Sequence, residues 1–143
     1  MIDTRLAPLQ NWLKALQPKW QLDLDTLTPA SADASFRRYF RIESKNPEFG
    51  TLIIMDAPPQ HEPLDAFIKV DFLLADAGLN VPKILEQNSQ EGFLLLNDLG
   101  NETYLAKLNL ETANDLYQDA TQALIKMQIA SKPDVLPNYD RAL

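Results

Sequence analysis

With 143 residues, 45% of them hydrophobic and 23% charged, the chain has the composition of one ordinary globular domain rather than of a disordered or low-complexity segment. Its formal net charge of −7 disfavours a general nucleic-acid binder, because duplex affinity rests on lysine and arginine neutralising phosphates. The absence of cysteine excludes disulfides, thiolate zinc sites and thiol redox chemistry, and the longest apolar runs, such as those at 52–55 and 93–96, are far too short to span a bilayer. The N-terminus lacks the basic-then-apolar order of a signal peptide, so a soluble cytoplasmic protein with neither membrane nor nucleic-acid partner is expected.

Taken in order, Leu6, Leu9, Leu13 and Leu16 recur at spacings of three and four. They predict a first helix over residues 3–17, capped by Asp3 or Thr4, with Pro8 in its first turn and Pro18 ending it. Leu22, Leu24 and Leu27 alternate with aspartates and predict a half-buried strand running into Pro29, followed by a turn of small polar residues at 31–35. From Phe36 the alternation is regular, with Phe36, Arg38, Phe40 and Ile42 on one face and Arg37, Tyr39, Arg41 and Glu43 on the other. Residues 51–56 complete an antiparallel three-strand meander, 57–63 form a proline-rich loop, and 64–77 form a helix. That helix sets Phe67, Val70, Leu74 and Ala77 in line, with Leu73 beside them and Gly78 suited to a left-handed cap. Residues 83–87 and 93–96 make a hairpin around the turn 88–92, the chain breaks at 97–100, and helices follow at 102–108 and 110–130. The last carries Ala113, Leu116, Tyr117, Ala120, Leu124 and Met127 on one face, built to pack on something. This order predicts an α+β fold, a five-stranded antiparallel sheet with a helix inserted between the third and fourth strands, and helices after it that need not join the layer. Residues 132–143 read as a loop with no capping or tail signature, so the chain looks cut rather than finished.

Most of the recognisable chemistry lies in the turn Ser31, Ala32, Asp33, Ala34 and Ser35 and in the arginines after it, Arg37, Arg38 and Arg41. Small residues let backbone N–H groups approach an anion, serine hydroxyls add donors, and guanidinium groups supply charge and paired hydrogen bonds. In an acidic chain this suits a small phosphorylated ligand. The same stretch is also compatible with an Asx-type turn whose arginines pair with neighbouring carboxylates. The single histidine, His61, lies in a proline-rich loop and reads as exposed, while Asp56 and Glu62 read as turn and helix-start carboxylates rather than a metal pair. No metal pair is therefore read from these residues.

The words DASFRRYFR at 33–41, MDAPP at 55–59, VPKIL at 81–85, GFLLLNDLG at 92–100 and TYL at 103–105 stand in an order that resembles a known family. It is the N-terminal lobe of aminoglycoside phosphotransferase-like kinases, relatives of the protein kinases. More narrowly, the words resemble the bacterial kinases that phosphorylate the anomeric hydroxyl of N-acetylmuramate and N-acetylglucosamine. The resemblance covers nearly the whole chain from about Leu27. Beside the N-terminal helix read from the leucine spacing, at 1–19, it implies a kinase-like N-lobe at 20–100 and, at 101–143, the first helices of a C-lobe. It also implies ATP as donor, magnesium, and a small-molecule acceptor, an amino sugar of cell-wall recycling.

In that likeness Ser31, Ala32, Asp33, Ala34 and Ser35 are the nucleotide-phosphate turn, and Leu96, Asn97, Asp98 and Leu99 are the hinge that meets adenine through main-chain groups. Two departures stand out. No glycine precedes Gly50, so the turn is not glycine-rich. The third-strand lysine that holds phosphates, and the helix glutamate that orients it, fall at Met55 and near Ile68. Arg37, Arg38 or Arg41 is then expected to supply the missing positive charge. The family draws its catalytic carboxylate and magnesium ligands from the C-terminal lobe, so these residues alone are expected to transfer nothing, and the unpartnered last helix to favour self-association. A non-catalytic nucleotide-binding or regulatory module with a kinase-like N-lobe is the alternative, and a structural α+β domain is a further one.

Overall fold

The computed structural model describes residues 3–32 and 35–138. Its elements are α1 (Leu6–Trp20), β1 (Leu22–Ala32), β2 (Arg38–Ser44), β3 (Thr51–Asp56), α2 (Leu64–Asp76), β4 (Ile84–Asn88), β5 (Phe93–Asn97), α3 (Tyr104–Lys107) and α4 (Ala113–Ala130). The five strands form one antiparallel sheet in the order β1-β2-β3-β5-β4, which gives the expected α+β fold. The β4–β5 hairpin joins the meander through β5, so β3 and β5 are central and have apolar neighbours on both faces. That is why their sequences are unbroken apolar runs, whereas β1 and β2 alternate.

Side chains of opposite parity separate into two cores. On one face Ile42, Leu52, Ile54, Phe93 and Leu95 pack with Leu22 and with Leu9 and Leu13 of α1. On the other, Met55, Ala57, Leu94 and Leu96 pack with Leu64, Phe67 and Ile68 of α2, and Tyr39 and Ile53 join them. Strand register places Arg38 opposite Asp56, and Tyr39 opposite Met55, so neighbouring residues of β2 serve different faces.

Three expectations are corrected by tertiary contacts. Strand β1 runs through Pro29 and Ser31 to Ala32, with Ser31 paired to Tyr39 and Ala32 to Arg38, so these two residues are strand and not turn. Pro29 is tolerated because β1 is an edge strand and its register shifts between Pro29 and Ser31. Helix α1 does not stop at Pro18; it continues to Trp20 and ends where Gln21 takes a left-handed conformation (φ 50°, ψ 44°). Trp20 is anchored from outside the helix, donating Nε1–H to Glu86 Oε1 at 2.9 Å and meeting the Phe49 ring edge-on at 5.7 Å. Those contacts outweigh the one backbone bond that proline removes in a last turn. The N-cap is Arg5, without a side-chain cap; Asp3 instead accepts from the Arg5 N–H at 3.0 Å.

By backbone contacts the chain divides into two units, one of Met1–Val70 with Pro82–Gly100 and one of Asp71–Val81 with Asn101–Leu143. The first holds the sheet. In the second, α4 has no buried residue, and Tyr117, Leu124, Ile125 and Ile129 are exposed, Ile129 by 81%. Among the described residues no helix is long and apolar enough to cross a membrane.

Candidate functional site

The three arginines expected to serve one ligand are divided by the pleat. Arg38 points to the α1 face, where its Nε and Nη2 donate to Asp56 Oδ2 at 3.0 and 2.5 Å and its Nη1 to Asp3 Oδ2 at 2.6 Å. Asp56 is fully buried, and its other oxygen accepts from Arg5 Nε at 2.8 Å. Arg5 also donates to the Glu91 carbonyl. This four-residue cluster ties the start of α1 to the ends of β2 and β3. Asp3 is held below the usual carboxylate range by its hydrogen bonds from Arg38 and the Arg5 N–H, and Arg38 is raised chiefly by Asp3, and by Asp56. Asp56, expected as a turn carboxylate, is instead the centre of a buried ion-pair network. Its signal lay in the strand alternation, because a charge that continues the inward set Leu52, Ile54 demands a buried partner. Nothing in the sequence marked Arg5.

Arg37 and Arg41 belong to the other side. The Arg37 guanidinium lies over the Phe67 ring, 5.6 Å from its centroid, and forms an ion pair with Glu62. Beside it Phe36 stacks on His61 with centroids 4.3 Å apart, although Phe36 remains 62% exposed. Ser35 Oγ accepts from the Arg37 N–H at 3.1 Å, the local turn bond anticipated for a small polar turn. Asp33 and Ala34 lie outside the described residues.

Arg41 pairs with Asp98, in the segment expected to be the hinge. Its Nε and Nη2 donate to the two oxygens of Asp98 at 2.6 and 3.3 Å, and the same carboxylate accepts from Thr51 Oγ1 at 2.9 Å and the Gly100 N–H at 2.8 Å. With its side chain only 8% exposed, Asp98 is thus satisfied on every side. Asn97 is fixed too, its Oδ1 accepting from the Lys83 N–H at 2.5 Å and its own N–H donating to the Lys83 carbonyl at 3.1 Å. Leu96 is buried in the α2-side core, whereas Leu99 is half exposed. Of the expected hinge, two side chains therefore hold the backbone, Leu96 packs in the core, and Leu99 is half exposed.

The Arg41 hydrogen bonds lower the Asp98 pKa, burial opposes them, and Gly100 and Thr51 add to the lowering. A carboxyl depressed in the folded chain contributes stability that is full above its unfolded value, about 3.9, and is lost as pH falls through the folded value. The urea midpoint should therefore be flat from neutral pH to about 5 and fall below about 4. Asp98→Asn should show a shallower acid limb; an acid limb as steep as the wild type's would remove Asp98 as a source.

Met55 has no exposed surface and sits in the same core as Ile68. The two positions at which the lysine and glutamate of the kinase pattern are expected, Met55 and Ile68, are thus apolar and packed in one cluster, which strands no buried charge. Among the described residues no group of three or more histidines or acids could hold a metal ion. The buried carboxylate oxygens of Asp56 and those of Asp98 are occupied by arginines, so the residues described do not fit a magnesium centre.

Over residues 26–143 the chain matches the model of the phosphotransferase enzyme family. It is 44% identical over 148 residues to the N-acetylmuramate/N-acetylglucosamine kinase of Pseudomonas aeruginosa, covering 99% of this chain and 43% of that protein. The kinase of the same description from Pseudomonas putida is 43% identical with the same coverage, and that of Neisseria meningitidis serogroup B is 38% identical over 96% of this chain and 40% of its own length. The chain thus spans less than half the length of the curated relatives it matches.

Proposed function

We propose that this chain, which belongs to the phosphotransferase enzyme family, supplies the nucleotide-binding part of an ATP-dependent kinase acting on a small molecule in the cytoplasm. The acceptor is an amino sugar of the N-acetylmuramate or N-acetylglucosamine kind. The observation that carries the acceptor is the 38–44% identity to kinases described by those sugars, which extends over 96–99% of the chain. The sheet supports the nucleotide reading physically. One face carries a cation, Arg37, near the β1–β2 connection, and a rigid connector, Asn97–Leu99, leaves β5 with an exposed apolar side chain at its end. A purine would lie against the apolar side chains and take main-chain hydrogen bonds, while the phosphates would extend toward Ser31, Ser35 and the arginine.

In the parent reaction a hydroxyl oxygen of the sugar attacks the γ-phosphorus and gives up its proton to a base, the bond from that phosphorus to the bridging oxygen breaks, and ADP leaves. The carboxylate that positions the acceptor hydroxyl, and the ligands of magnesium, are assigned to the part of the enzyme beyond the described residues. Differential scanning fluorimetry of the full-length protein tests the binding half. At an ATP concentration about a hundredfold above the dissociation constant, the stabilisation should be about 2.7 kcal/mol, several degrees in Tm. Phosphorylation of N-acetylmuramate or N-acetylglucosamine should accompany it, with none from residues 1–143 alone. Absence of an ATP-induced shift in the full-length protein would sink the nucleotide reading; ATP binding without turnover would favour a regulatory module.

A further inference from the structure

Resting on the nucleotide reading, we infer that Arg37 is the arginine that takes the phosphates, and that Glu62 is an anionic placeholder which the nucleotide displaces. The other two arginines are committed elsewhere. Arg38 faces α1, where it joins Arg5 in neutralising the fully buried Asp56. Arg41 is forked on Asp98, and releasing it would leave a carboxylate that is 8% exposed with only Thr51 and Gly100. Removing either arginine from its partner strands a charge in a poorly solvated place.

Arg37 is held differently. Its Nε pairs with Glu62 Oε2, on a side chain that is 19% exposed against 0% for Asp56 and 8% for Asp98, so of these three carboxylates Glu62 has the most access to water and is the one a competing anion can displace. A triphosphate offers several oxygens in place of one, with the fork geometry a guanidinium prefers. Glu62 stands just before α2 and keeps a partly exposed side chain, so water can take it up once displaced.

The position is also right for the task. Arg37 lies over Phe67, and Phe67 packs on the cluster that holds Met55 and Ile68, the two positions where the kinase pattern would place its lysine and glutamate. A positive charge lost from β3 is thus replaced from the start of β2, with Glu62 in the orienting role while no nucleotide is bound.

Isothermal titration of the full-length protein with ATP and with adenosine tests this in the wild type, Arg37→Ala, Glu62→Gln and the double variant. Glu62→Gln should tighten ATP about three- to tenfold, and Arg37→Ala should weaken it about ten- to a hundredfold, the range of a hydrogen bond to a charged group. Adenosine, lacking phosphate, should bind all four alike, which also reports that each is folded. In the Arg37→Ala background Glu62→Gln should give no gain. An ATP affinity unchanged in Arg37→Ala, no tightening in Glu62→Gln, or a gain that persists without Arg37 would each overturn the assignment while leaving nucleotide binding intact. If the wild type bound neither ATP nor adenosine, the nucleotide reading itself would fall, and this inference with it.

Discussion

Asp56→Asn should lower the unfolding free energy by about 3 kcal/mol, the usual result of breaking a buried ion pair from one side. Asp56 is 0% exposed, and its oxygens are shared between Arg5 and Arg38. An asparagine would keep the shape, but it would turn an amide toward one guanidinium and leave two cations without their common counter-charge. Arg38 would retain Asp3, and Arg5 the Glu91 carbonyl, so the loss falls on the contact that joins them. For a chain of this size the change corresponds to roughly 10 °C in Tm. Removing Arg5, Asp56 and Arg38 together should destabilise less than the sum of the three single variants, because they act as one network. A urea midpoint within error of the wild type for Asp56→Asn would show that the cluster contributes little.

The second large effect is expected at the neighbouring hairpin. Gly92 has φ +78°, and a β-carbon there would stand 1.9 Å from the Ala57 carbonyl oxygen and 3.1 Å from Pro59 Cδ. The two backbones cannot readily separate, because the Ala57 N–H donates to the Gly92 carbonyl at 2.8 Å. Gly92→Ala therefore combines a left-handed backbone, about 1–2 kcal/mol for a residue with a β-carbon, with overpacking against main chain, about 1–3 kcal/mol. The total should be roughly 3 kcal/mol or more in equilibrium unfolding. Gly78 separates the two contributions: its φ is +79°, and a β-carbon would meet nothing within 4 Å, so Gly78→Ala should cost only about 1 kcal/mol. Equal losses at the two glycines would mean that the close approach of the hairpin to Ala57 has no energetic weight.

Both effects concern contacts between segments far apart in the chain, and sequence reading foresaw neither. Local pattern did identify most elements. The apolar runs of β3 and β5, the three-and-four spacing of α1 and α4, and Gly78 after α2 each carry their own signal, because a helix or strand must repeat its buried face at a known period. The overruns had external causes. Pairing with β2 extended β1 past Pro29, and Glu86 and Phe49 held Trp20 beyond Pro18.

For the candidate site, the sequence by itself determined the residues to consider: three arginines in an acidic chain, the polar turn before them, the connector after β5, and apolar residues at Met55 and Ile68, where the resemblance leads one to expect charges. These are properties of residue type and spacing, which need no third dimension. Only the tertiary structure decided their allegiance. A one-residue step along β2 turns a side chain to the opposite face, so Arg38 went to Asp56 beneath α1 while Arg37 and Arg41 went to Glu62 and Asp98. Each carboxylate comes from another element, and ion pairing acts through space between groups the fold brings within a few ångströms. Sequence could therefore propose three phosphate-binding candidates, whereas the packing around Asp56 and Asp98 left one, Arg37, whose partner Glu62 keeps the most solvent access of the three.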